Sequence, residues 1–136
     1  MMTKQSGVRK ILIIDDDNDM TAVLSTVLRE AGYEVYRAAD GDEGVKTAAA
    51  ESPDLIILDF LMPVKNGFDA CHEIRQLPHM QNVPILALTS YGRDLGESYA
   101  PDRKAALASL HDCLEKPVEF NVLLARVGAA LSRTET

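Results

Sequence analysis

Asp15 and Asp16 close one apolar run, ILIIDDD (Ile11 to Asp17), and Asp59 lies inside a second, LIILDFLMP (Leu55 to Pro63). Runs continuous in Ile and Leu, rather than alternating with polar residues, read as parallel strands buried on both faces. Ligands of an open α/β sheet gather outside the carboxyl ends of its strands. The three carboxylates are therefore expected to converge at one edge. Three like charges repel there, and the cluster becomes tolerable if it holds a divalent cation. Asp oxygens without His or Cys point to magnesium. Asp17 or Asn18 is the expected N-cap of the following helix, but capping does not account for two further acids at a buried strand end. Asp59 follows Leu55, Ile56, Ile57 and Leu58 and precedes Phe60, Leu61 and Met62, which is no place for a solvated surface carboxylate. It is either a structural carboxylate bonded to loop backbone, or a magnesium ligand and a nucleophile toward phosphorus.

Two further residues complete a pattern. Thr89 ends the apolar run PILALT, and Lys116 follows a fifth run as EKP. Taken singly, these are an ordinary strand-end threonine and a surface cation. Beside an acidic phosphoacceptor they would supply a neutral donor and an ammonium to a phosphoryl group. Nucleophile, metal, cation and donor are what phosphoryl transfer needs, with catalysis by positioning.

The elements that must position these groups alternate along the chain. Strand-like runs are Lys10–Asp15, Glu34–Ala38, Leu55–Asp59, Pro84–Thr89 and Asp112–Glu115; helical patterns are Asp19–Ala31, Gly41–Glu51, Phe68–Gln76, Arg103–Leu110 and Glu119–Leu131. Phe120, Leu123, Leu124, Val127 and Leu131 recur at helical spacing and form one core-facing stripe. Gly32 falls where a helix C-terminal cap belongs. This alternation predicts a doubly wound α/β domain on a five-stranded parallel sheet. Met1–Gly7 is expected to be a disordered leader, residues 8–133 one domain, and Ser132–Thr136 a short tail with no output domain after it. The stretch SYGRDLGESYAPD (Ser90–Asp102) is long for a strand-to-helix connection. It is either a tolerated surface insertion or a mobile loop over the pocket.

Bulk properties narrow the function. The 136 residues suffice for one domain with one core. A net charge of −7 argues against direct nucleic-acid binding and against anionic membranes, and favours partners with basic or apolar patches. Cys71 and Cys113 have no metal-type spacing and are expected as free thiols. No run is long enough to span a membrane and the stretch MMTKQSGVRK lacks the apolar region of a signal peptide, so a cytoplasmic location is expected. His72, His79 and His111 share no ligand spacing and are expected on the surface.

With four motifs in order (IIDDD, LIILDFLMPVKNG, PILALTS and DCLEKP), the chain resembles the receiver domains of two-component response regulators, the CheY-like family, from Ile11 to Leu131. The resemblance implies a flavodoxin-like sheet of strand order 2-1-3-4-5. It implies Asp59 as phosphoacceptor, Asp16 as a direct magnesium ligand, Asp15 as a mainly water-mediated one, and Leu61 as a ligand through its backbone carbonyl. Thr89 and Lys116 would contact phosphoryl oxygens, and the Lys116–Pro117 peptide would be cis. The implied role is a regulator rather than an enzyme. It would take a phosphoryl group from a phosphohistidine of a sensor histidine kinase or histidine phosphotransfer protein and signal to a downstream protein, as a monomer or a weak phosphorylation-dependent dimer. A phosphorylation-independent pseudo-receiver is the alternative. A haloacid-dehalogenase-type phosphatase is disfavoured by Leu61, where it needs a second Asp.

Three departures from the family pattern bear on switching. Cys113 stands where an aromatic is usual, Ser109 replaces a Gly before the fifth strand, and the span from Thr89 to Lys116 is longer than in most relatives. Tyr91 or Tyr99 is a candidate substitute for the missing ring. Leu61 and Tyr91 orient a hydrolytic water poorly, so slow autodephosphorylation is expected.

Overall fold

Residues 8–59, 67–89 and 112–133 are described by the computed structural model. The expected leader, Leu61, the Ser90–Asp102 loop with Tyr91 and Tyr99, the helical pattern at Arg103–Leu110, Ser109 and His111 lie outside those residues. The elements follow the expected alternation: β1 (Lys10–Ile14), α1 (Asn18–Glu30), β2 (Glu34–Ala38), α2 (Gly41–Glu51), β3 (Leu55–Asp59), α3 (Gly67–Arg75), β4 (Ile85–Thr89), β5 (Asp112–Glu115) and α4 (Phe120–Arg133). Their ends fall within two residues of the sequence expectation, the usual scatter of frayed termini.

All pairings are parallel and the strand order is β2-β1-β3-β4-β5. The chain thus has the flavodoxin-like doubly wound fold. Side chains alternate across a strand, so the apolar runs split between two faces. Ile11, Ile13, Leu55, Ile57, Leu86 and Leu88 pack with Leu24 and Leu28 of α1 and with Leu123 and Val127 of α4. Leu12, Ile14, Ile56, Leu58, Ile85 and Ala87 pack with Ala48 of α2 and with Ala70, Cys71 and Ile74 of α3. Each fully buried Leu or Ile contributes about 1.5–3 kcal/mol of transfer free energy, which is why β1 and β3 form the centre of the core.

Local chemistry sets the helix ends. Asp17 caps α1, its carboxylate accepting from the Met20 amide at 3.0 Å, and Gly32 follows the C-cap with φ 103°, a left-handed conformation that glycine adopts at no steric cost. Asp40 caps α2 by accepting from the Glu43 amide at 2.8 Å, while Glu43 accepts from the Ala39 amide at 2.6 Å. Lys10 ties the far end of α2 to β1, its Nζ donating to the Glu51 carbonyl at 3.1 Å and its amide to Asp54 Oδ2 at 2.8 Å. Gly44 brings α2 hard against β1. A Cβ there would lie 2.5 Å from Ile14 Cδ1 and 2.8 Å from Ile14 Cγ1.

Candidate functional site

Register is what assembles the site. Ile14 of β1 pairs with Leu58 of β3, so the next residues along, Asp15 and Asp59, leave the two central strands side by side. Asp15 is 1% exposed and Asp59 4%. Asp16 is exposed, and one carboxylate oxygen from each of the three lies within 4.8 Å of the others. From the loop after β5, Lys116 Nζ reaches to 3.5 Å from Asp15 Oδ2 and 3.4 Å from Asp59 Oδ2. The Lys116–Pro117 peptide is cis, as the resemblance implies. Thr89 closes β4 at the same carboxyl edge, in register with Glu115.

The electrostatics are those of a site holding more negative charge than it neutralises. Burial, more than any neighbour, raises the Asp15 pKa from 3.8 to about 6; the Asp59 carboxylate adds to the rise, while the Asp17 amide and the Lys116 ammonium oppose it. Burial works against the Lys116 ammonium as well, but the Asp59 and Asp15 carboxylates outweigh it and raise its pKa. Asp15 Oδ1 accepts from the Asp17 amide at 2.9 Å. Asp15 Oδ2 is buried and accepts no hydrogen bond among the described residues, so its contact with the lysine is a Coulombic one. A buried carboxylate that keeps one oxygen out of hydrogen bonds, within a group of three Asp side chains, is a fit for a small hard cation such as Mg²⁺.

Of the residues singled out from sequence, Asp15, Asp16, Asp59 and Lys116 come together. Thr89 reaches the same edge by its backbone, and Leu61 lies outside the described residues. Cys71 and Cys113 form no disulfide, the first being buried and the second exposed. His72 and His79 are exposed. Sequence reasoning missed the brace around the first turn of α1, where Arg37 Nη2 donates to Thr21 Oγ1 at 2.9 Å. The one available signal was a hydroxyl residue, Thr21, on the core-facing side of an apolar helix.

A parallel sheet with this strand order, carrying an acidic cluster and a lysine at its carboxyl edge, is a flavodoxin-like domain of the phosphosignalling kind. The response regulator receiver domain model matches residues 11–128, and the chain belongs to that family. Its members are signalling domains of two-component systems, phosphorylated on an aspartate. The chain is 38% identical over 126 residues to the DNA-binding dual master transcriptional regulator RpaA of Synechocystis sp., covering 93% of this chain and 50% of the relative. It spans about half the length of the curated relatives it matches. Among solved structures, the chemotaxis response regulator CheY4 of Vibrio cholerae superposes with a TM-score of 0.80 at 32% identity, over 90% of this chain and 98% of that one. The receiver domain of sensor histidine kinase PA1611 from Pseudomonas aeruginosa, with a magnesium ion coordinated in its active-site cleft, gives 0.77 at 30% identity, over 92% and 98%. No helix among the described residues is long and apolar enough to cross a membrane.

Proposed function

We propose that Asp59 is the phosphoacceptor of this receiver domain. A carboxylate oxygen of Asp59 attacks the phosphorus of a phosphohistidine on a sensor kinase or phosphotransfer protein. The P–N bond breaks, its electron pair returns to the imidazole, and that nitrogen takes up a proton. The reading is carried by one observation, the Lys116 ammonium 3.4 Å from the buried Asp59 carboxylate. A cation fixed there meets negative charge as it develops on the transferring group, and being already in place it costs no reorganisation. Lys116 thus neutralises a phosphoryl oxygen in the product, and the Thr89 hydroxyl donates to a second.

Asp15, Asp16 and Asp59, with the Leu61 carbonyl, would hold Mg²⁺. When bound, the ion supplies charge neutralisation for the phosphoryl oxygens. Asp15 serves this role by keeping Oδ2 free of hydrogen bonds, while its Oδ1 is fixed by the Asp17 amide. The phosphorylated and unphosphorylated forms then differ in their affinity for a downstream protein, and the domain acts as a relay rather than a catalyst of turnover. A cytoplasmic location fits a phosphoryl donor of this class.

Intact-mass spectrometry after incubation with Mg²⁺ and acetyl phosphate tests the assignment. One acid-stable, base-labile phosphoryl group is expected on the native chain and none on Asp59→Asn. Stoichiometric labelling of that variant on another carboxylate or a histidine would overturn it.

A further inference from the structure

Arg37 sits on β2, outside the acidic cluster, yet its contacts run toward that cluster. Its Nη2 donates to Thr21 Oγ1 at 2.9 Å and lies 3.4 Å from the Asn18 carbonyl. Thr21 is 2% exposed, and its hydroxyl in turn donates to that same carbonyl at 3.1 Å. Asn18 is the first residue of α1, and its neighbour Asp17 is the N-cap whose amide donates to Asp15 Oδ1. The same strand also holds Asp15 directly, because the Asp15 amide donates to the Ala38 carbonyl at 3.1 Å. Helix stability does not explain a guanidinium at this spot. A cation beside a helix N-terminus opposes the macrodipole, and the contact ties the first turn of α1 to β2.

We infer that Arg37, acting through Thr21, is a positioning residue of the metal site. It anchors the first turn of α1 to β2 so that the Asp17 amide stays on Asp15 Oδ1 and Oδ2 stays directed into the cluster. The inference rests on Asp15 being a site carboxylate, but not on which residue is phosphorylated. Without the anchor, α1 keeps its core-facing residues Leu24 and Leu28, and the fold survives. What loosens is the short Asp15–Asp17 connection, which lies between β1 and α1. A partner one step removed from the ligands can set metal affinity in this way, because an untethered carboxylate must be ordered at the moment of binding.

The test uses the full chain and the variants Arg37→Ala, Arg37→Lys and Thr21→Val. Amide exchange is followed by NMR without metal, and Mg²⁺ binding by calorimetry. In Arg37→Ala the Asp17 amide is expected to exchange about tenfold faster while the β1 amides of Ile11–Ile14 stay as slow as before. Mg²⁺ should bind about tenfold more weakly, and acetyl phosphate labelling should recover its native rate at saturating Mg²⁺. Arg37→Lys restores a donor at the same place and should recover part of both effects. Thr21→Val, isosteric and lacking the hydroxyl, should reproduce the loss should Arg37→Ala fold poorly. An unchanged Asp17 amide, or a faster exchange spread evenly over β1 and β2, overturns the inference. Absence of labelling in the native chain would instead sink the phosphoacceptor reading and leave the exchange result standing.

Discussion

Replacing Asp15 by Asn should make the metal-free protein more stable at neutral pH. An unfolded chain titrates Asp15 near 3.8, whereas burial in the folded chain raises it to about 6. Between those values the folded state holds the proton more tightly, so folding takes up protons and stability falls as the pH rises. Well below pH 3.8 the carboxyl is neutral in both states and costs nothing. Above pH 6 the penalty is complete, and at 1.36 kcal/mol per tenfold change it amounts to about 3 kcal/mol. Asn keeps the oxygen that accepts the Asp17 amide, so the substitution removes the charge without removing the hydrogen bond. Urea unfolding followed by far-ultraviolet circular dichroism, without metal, is the assay. A gain of about 1–3 kcal/mol is expected at pH 7.5 and almost none at pH 3. An Asp15→Asn variant no more stable than the native protein at pH 7.5, or equally favoured at both pH values, would refute the argument that buried charge strains this site.

Two other perturbations probe neighbouring parts of the structure. Lys116→Met leaves two buried carboxylates without their cation; with the lysine one-fifth exposed, the loss should be about 3 kcal/mol, the low end of what breaking a buried pair costs. Millimolar Mg²⁺ should restore most of it in thermal melts, and a loss that the metal leaves untouched counts against the shared-site reading. Gly44→Ala gains about 1 kcal/mol of helix propensity but forces a Cβ to within 2.5 Å of the fully buried Ile14, an overpacking that costs about 1–3 kcal/mol. A net loss is expected, smaller in an Ile14→Val background, and equal losses in both backgrounds would place the strain elsewhere.

The central strands and their terminal acids were legible because an apolar run that stops at a carboxylate leaves few options: Ile11–Ile14 and Leu55–Leu58 must be buried, and Asp15 and Asp59 must sit at the carboxyl ends of the two strands. Lys116 was legible only through the motif EKP, since a lysine after a short strand carries no signal of its own. The Arg37–Thr21 contact was not legible. It depends on how far the edge strand β2 runs past the start of α1, and no periodicity encodes that stagger. Lys10 shows the same limit. Its side chain closes α2 at Glu51 and its amide meets Asp54, partners more than forty positions away that become neighbours only when β1 lies next to β3. The charge strain at Asp15 was foreseeable as repulsion between acids, but burial proves the larger cause.

The pairing of Ile14 with Leu58 joins positions about 44 residues apart in sequence, and Asp15 and Asp59 meet only as its continuation. Helices, whose contacts are local, form early in folding, whereas such long-range parallel pairing closes a costly loop and comes late. A chain with native helix content but unpaired β1 and β3 therefore has its acids scattered and no cation site. In a refolding experiment, Mg²⁺ binding at the proposed site would become a clock for the central sheet, lagging the helical signal and marking the moment at which topology is complete.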